Sequence, residues 1–255
     1  MELQVKEEGK FKYIEEGEGE VLLLLHGLFG ALSNWKSVLD HFSKKHKVVI
    51  PLMPIFDMNP LTLSVDSLCS FIHEFVEFKG YSKVNLLGNS LGGHVALVYI
   101  KNHPEIVNSL VLTGSSGLYE NAFGESYPRK GDKSYLRERI SLTFYDPNVT
   151  TDELVDEIYE TLRDKMKVLS ILKIAKSAIR HNMRKDIPAM TLPVCLIWGK
   201  NDNVTPLEVG KEFNSLMPNS ELHILDQCGH APMMERPLEF NQHADEFYQR
   251  ILHTP

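Results

Sequence analysis

The chain has 255 residues, 43% of them hydrophobic and 24% charged, with a formal net charge of −7. This composition excludes wholesale disorder and suits one α/β domain carrying an insertion, since such domains reach about 250 residues. The acidic balance leaves no cationic surplus to displace counterions or dock on lipid, so neither nucleic acid nor a membrane is expected as the main partner, and a small neutral molecule is.

Met1 to Lys10 alternates charged and isolated apolar residues, without the basic and apolar regions of a signal peptide. Residues 2–7 and 10–16 read as a hairpin through Gly9, followed by a strand at 21–26 and a helix at about 33–44 built on Trp35, Val38, Leu39 and Phe42. A strand at 48–50 leads into an irregular stretch from Pro51 to Pro60. A helix over about 63–79, a strand at 83–88, a helix from Ser90 to about Asn102 and a strand at 107–113 come next. Alternation of this kind predicts a mostly parallel central sheet flanked by helices.

Between Gly117 and Ile187 the strand signal stops and helical signals take over. Thr150 and Glu153 fit a capping box. Leu154, Ile158 and Leu162 form one apolar stripe, and Val168, Leu169, Leu172, Ala175 and Ile179 form a second. The parallel pattern resumes with a strand at 194–198, a helix over about 206–216, a strand at 221–225 and a terminal helix at about 237–251. The expected division is a core of residues 1–117 and 186–255 with an inserted helical cap, or lid, at 118–185. Such an insertion emerges at the edge of the sheet where α/β folds bind ligands. Cys69, Cys195 and Cys228 are widely spaced and odd in number; they suit a reducing compartment, and the cytoplasm is the expected location.

Gly88-Asn89-Ser90-Leu91-Gly92-Gly93 directly follows the apolar run Val84 to Leu87. The stretch reads as a sharp strand-to-helix turn with serine at the bend, where residues two before and two after the serine must be very small. The Leu91 N–H at the start of the helix is then one donor to an oxyanion. A serine hydroxyl is a weak nucleophile, so Ser90 needs a base and a group to orient that base. Asp202 in a turn after the strand at 194–198, and His230 in Cys228-Gly229-His230-Ala231-Pro232 after the next strand, supply both. Each has a plain structural alternative, as a turn-former or an ordinary histidine, but the order Ser90, Asp202, His230 together with the turn makes coincidence improbable. Asp226 and Asp57 rank below Asp202 as the acid.

His26-Gly27-Leu28-Phe29-Gly30 follows the strand at 21–26 and brings a second backbone donor, Leu28 ahead of Phe29. His26 and His94 read as structural. No H-E-x-x-H, paired C-x-x-C or G-x-G-x-x-G motif occurs in the required place, so no metal and no cofactor are expected.

These four motifs resemble those of the α/β-hydrolase superfamily, specifically its lid-bearing serine hydrolases, over about Val21 to Leu252. The resemblance implies the α/β-hydrolase fold with Ser90 as nucleophile, His230 as base and Asp202 as its orienter. Asn89 beside the nucleophile is similar to the meta-cleavage-product hydrolases, which split carbon–carbon bonds. Those enzymes carry a tryptophan soon after the catalytic histidine, where this chain has Ala231-Pro232-Met233-Met234-Glu235. Pro51-Leu52-Met53-Pro54-Ile55-Phe56-Asp57 also departs from the usual Asp-x-Arg-Gly-x-Gly-x-Ser.

The expected activity is therefore hydrolysis of a carboxylic ester of a small to medium, largely apolar substrate through an acyl-enzyme. C–C hydrolysis is the enzymatic alternative, and a small-molecule receptor on the same fold is the alternative of another class. Phe29, Asn89, Ile171, Leu172, Ile179 and Met233 are the expected substrate-pocket residues.

Overall fold

The computed structural model describes residues 4–29, 32–120 and 132–252. Gly30 of the loop after the first long strand and residues 121–131 of the expected insertion lie outside the described residues. Eight strands form one sheet: β1 (Lys6–Glu8), β2 (Phe11–Glu16), β3 (Val21–Leu25), β4 (Lys47–Pro51), β5 (Val84–Asn89), β6 (Val107–Thr113), β7 (Val194–Gly199) and β8 (Ser220–Leu225). They lie in the order β1-β2-β4-β3-β5-β6-β7-β8. The hairpin β1-β2 and the β2-β4 pair are antiparallel and every later pair is parallel.

The alternation of strand and helix predicts this arrangement because a parallel pair needs a crossover helix, and each crossover covers one sheet face. The helices are α1 (Lys36–Phe42), α2 (Val65–Lys79), α3 (Leu91–Asn102), α4 (Lys133–Ser141), α5 (Asp152–Arg163), α6 (Lys165–Arg180), α7 (Leu207–Leu216), α8 (Pro232–Glu235) and α9 (Pro237–Leu252). Two apolar layers result. One packs α2, α3 and α7 on the sheet through Phe75, Val95 and Phe213. The other packs α1 and α9 through Phe42, Phe240 and Tyr248.

Between β6 and β7 the described residues hold α4, α5 and α6 and no strand. Two local expectations are corrected here. The cap of α5 is Thr151, whose side chain accepts from Leu154 N–H, and Thr150 is buried one residue outside the helix. The apolar stripe of α6 that includes Leu172 and Ile179 points to solvent. Its buried residues are Ser170, Ile174 and Ala178. Small side chains face inward because α6 lies close against α2, where Ser177 Oγ accepts from the Val65 N–H at 3.0 Å.

β3 is flanked by β4 on one side and β5 on the other, so the crossovers leave β3 in opposite directions. A crevice opens beyond the carboxyl ends of β3 and β5 at such a point. The loop holding Gly27 and the turn holding Ser90 both lie there.

Candidate active site

Ser90 lies between β5 and α3 with φ 54° and ψ −122°, a conformation rare for a residue with a side chain. The surrounding glycines make it possible. A Cβ on Gly88 would lie 2.6 Å from the Gly93 Cα, and one on Gly92 would lie 2.0 Å from the Leu25 carbonyl oxygen. The backbone is tied down on both sides: Ser90 N–H donates to Thr113 O at 3.2 Å, and Ser90 O accepts from His94 N–H and Ser116 N–H at 3.2 and 3.3 Å. The residue is partly exposed, as its expected role of nucleophile requires.

Gly27 brings the loop after β3 against this turn, so close that a Cβ there would sit 3.2 Å from the Ser90 Cβ. His26 shapes that loop. Its Nε2 accepts from the Met53 N–H at 3.0 Å, which leaves Nδ1 protonated and donating to Gly27 O at 2.8 Å. Burial holds its pKa below the ordinary histidine value. Leu28 and Phe29 follow, half-buried against the two different apolar layers. Leu91 is the first residue of α3, so its N–H has no partner within the helix.

The β7 and β8 loops bring Asp202 and His230 together. His230 Nδ1 lies 2.9 Å from Asp202 Oδ2 and 3.1 Å from Oδ1, with the Asp202 side chain fully buried. Asp202 Oδ1 accepts from the N–H groups of Val204 and Thr205 at 2.8 and 2.9 Å, and Oδ2 accepts from the Thr205 hydroxyl at 2.9 Å. Burial works against a charged His230, but the Asp202 carboxylate outweighs it, helped by Glu120 and Glu235, and holds the imidazole above its ordinary pKa.

Three contributors escape a reading of the sequence. Thr205 locks Asp202, and the only local signal is its position three residues after an aspartate. Glu235 accepts from the N–H groups of Tyr145 (2.7 Å), Gly229 (2.9 Å) and Ala231 (3.4 Å), pinning the histidine loop to the insertion. Burial raises its carboxyl pKa against those bonds. Glu120, where the chain leaves the sheet for the insertion, has its carboxyl pushed up by burial and drawn back by His230.

Asn89 is buried, and its amide donates to Thr113 O at 3.1 Å and His230 O at 3.2 Å. It is a strut between the serine turn and the histidine loop. Met233 is buried in the α1/α9 layer and Ile171 is half-buried, whereas Leu172 and Ile179 lie on the exposed side of α6. The rival acids stand apart: Asp226 is exposed and paired with Lys200 at 2.9 Å, and Asp57 is exposed. Cys228 is buried, with its thiol pKa raised by burial, which suppresses the thiolate.

His94 is fully buried in α3. Its Nε2 lies 3.2 Å from His181 Nδ1 at the end of α6, and burial followed by that neighbour lowers its pKa to about 3. Among the described residues, Cys195, Glu221 and His223 are close enough to share a metal ion. They lie on β7 and β8, and the Arg250 guanidinium already neutralises Glu221. A cavity of about 430 Å³ between Phe144, Tyr145, Asp202 and Pro206 borders the acid and is not lined by Ser90 or His230.

A family model described as alpha/beta hydrolase fold matches residues 20–138. The chain is 48% identical to MGS-MChE2, an alpha/beta hydrolase enzyme from the metagenome of sediments of the Mar Chica lagoon, Morocco. That match covers 97% of this chain and 98% of the other, with a TM-score of 0.81. It is 27% identical to a 2-hydroxy-6-oxononadienedioate/2-hydroxy-6-oxononatrienedioate hydrolase of a Pseudomonas species, over 97% of each chain. It is also 27% identical to the monoacylglycerol lipase ABHD6 of Bos taurus, over 87% of this chain and 73% of the lipase.

Proposed function

The chain belongs to the α/β-hydrolase family, and from that premise we propose that it is a serine hydrolase cleaving carboxylic esters of small to medium, largely apolar substrates. The observation that carries the reading is the strained Ser90, whose neighbour Asn89 donates to the carbonyl oxygen of a buried, carboxylate-paired His230 at 3.2 Å. His230 Nε2 takes the Ser90 proton as Oγ attacks the ester carbonyl. Asp202 keeps the other ring nitrogen protonated and stabilises the imidazolium. The Leu91 N–H and an N–H of the Leu28-Phe29 segment receive the oxyanion. The alcohol leaves with the proton from His230, and water then releases the acid by the same path.

The charge around His230 supports a neutral substrate. Asp202, Glu120 and Glu235 all bear on that imidazole and all are carboxyl groups. An anionic substrate would meet them unfavourably. Helices α4 to α6 act as a cap over this edge, joined to it where Thr143 O accepts from the His230 N–H at 2.9 Å. A second reading, C–C bond hydrolysis, is favoured by the name of the Pseudomonas relative.

Labelling with a fluorophosphonate followed by peptide mapping tests the nucleophile. The adduct is expected on Ser90 and absent from Ser90→Ala, whose turnover should fall on the order of 10⁶-fold. An adduct elsewhere overturns the assignment. Turnover of p-nitrophenyl esters against a 2-hydroxy-6-oxo-dienoate separates the readings: preference for the dienoate favours C–C cleavage.

A further inference from the structure

α6 concentrates positive charge in an otherwise acidic chain. Between Lys165 and Arg180 it carries five cations, Lys165, Lys167, Lys173, Lys176 and Arg180, and no acidic residue, although the net charge is −7. Its outward side mixes Lys165, Lys176 and Arg180 with exposed apolar side chains: Met166 is 58% exposed, Leu169 and Leu172 37% and Ile179 56%. This stripe lies opposite the buried residues Ser170, Ile174 and Ala178, so packing of the described residues does not account for it.

The apolar exposure is also confined in space. Of the twelve large apolar side chains exposed among the described residues, eight lie on the insertion or on loops at the carboxyl ends of the strands, including Leu61 and Leu142. Scattered exposed leucines are ordinary; a concentration on one edge marks an interaction surface. Of the five acidic residues of the neighbouring α5, Asp152, Asp156 and Glu160 are paired with Arg137, Lys133 and Arg163, which leaves Glu153 and Glu157 against the five cations of α6.

We propose that the outer stripe of α6 docks this protein on an anionic phospholipid surface, the apolar side chains entering the headgroup boundary and the cations meeting lipid phosphates. A helix with cations interleaved among exposed apolar residues has the chemistry of interfacial binding, and charge complementarity selects an anionic bilayer over a neutral one. The overall charge does not oppose this, since attraction acts within a Debye length of the surface and is set by the face presented. Docking in this way stands whether or not the ester reading is right.

Co-sedimentation with large unilamellar vesicles of phosphatidylcholine alone, or of phosphatidylcholine and phosphatidylglycerol in equal parts, tests it. Binding is expected on the anionic vesicles, weak on the neutral ones, and lost on raising NaCl to about 0.5 M. Lys165→Gln with Lys176→Gln should weaken partitioning about 25-fold, at about fivefold per cation. Met166→Gln with Leu169→Gln should weaken it as well. Leu238→Gln, at an 84% exposed site on α9, should change nothing. Circular dichroism and hydrolysis of a soluble acetyl ester should be unaltered in all of these variants, which separates lost docking from lost fold. Equal binding to both vesicle types, no binding to either, or self-association by analytical ultracentrifugation that the Met166/Leu169 variant abolishes would overturn the proposal.

Discussion

Asp202→Asn isolates the chemistry from the fold. The Asp202 carboxylate serves two masters: Oδ1 accepts two backbone N–H groups, and Oδ2 accepts the Thr205 hydroxyl and faces His230 Nδ1 at 2.9 Å. An asparagine must choose which oxygen to replace. Placing its NH₂ at the Oδ1 position would set a donor against two donors, so the amide oxygen stays there and the NH₂ turns to His230. It then donates to Nδ1, the proton moves to Nε2, and the imidazole no longer accepts from Ser90. Turnover should fall about 10⁴-fold, the size of the same tautomer error in a serine protease triad. Because both backbone bonds survive, the melting temperature should change little. Initial rates on a p-nitrophenyl ester alongside thermal denaturation make the measurement. A loss under tenfold, or an equal loss from Asp226→Asn, refutes the reasoning.

His230 titrates above the ordinary histidine value because of its carboxyl neighbours, so the acid limb of kcat/KM should lie above about pH 6.5, with activity rising as the imidazole loses its proton. The linked stability has the opposite sense: a raised folded-state pKa stabilises below the unfolded value, and that contribution is lost as pH rises through the folded one. A pH–rate profile with its acid limb near pH 5 contradicts this. Gly92→Ala should cost at least about 3 kcal/mol or prevent folding, since the added methyl meets the Leu25 carbonyl, which belongs to the sheet and has no room to move; chemical denaturation reads it. Asn89→Ala removes two buried donor bonds and should cost about 1 kcal/mol for each, with a fall in kcat that Asn89→Asp does not rescue, because a carboxylate has no N–H to offer.

The serine turn is readable from sequence because its pattern is compact. Strand, bend and helix occupy ten consecutive residues, and Gly88 is demanded by the backbone of Gly93 close at hand, whereas the demand on Gly92 comes from the Leu25 carbonyl of the neighbouring strand. Asp202 and His230 are readable for a related reason: each follows an apolar strand by a few residues, and parallel strands deliver their following loops to one edge. The α8 helix passes unseen, as four residues carry too little periodicity to register. The Thr150-to-Thr151 shift has the same origin, two adjacent threonines offering the same hydroxyl.

What the sequence by itself determined is the alternation of strand and helix, the sharp strand-to-helix corner at Ser90 and the placing of Asp202 and His230 just after strands, because backbone sterics and side-chain period act over a few residues. Only the tertiary structure decided which side of α6 is buried. Its apolar residues nearly encircle the helix, so their period names no inward face, and the choice falls to the close approach of α2, which admits Ser170 and Ala178 and turns Leu172 and Ile179 outward. Tertiary structure likewise brought Thr205 and Glu120 to the surroundings of His230 and tied Glu235 to Tyr145, because hydrogen bonds and Coulomb forces act through space between loops distant in the chain.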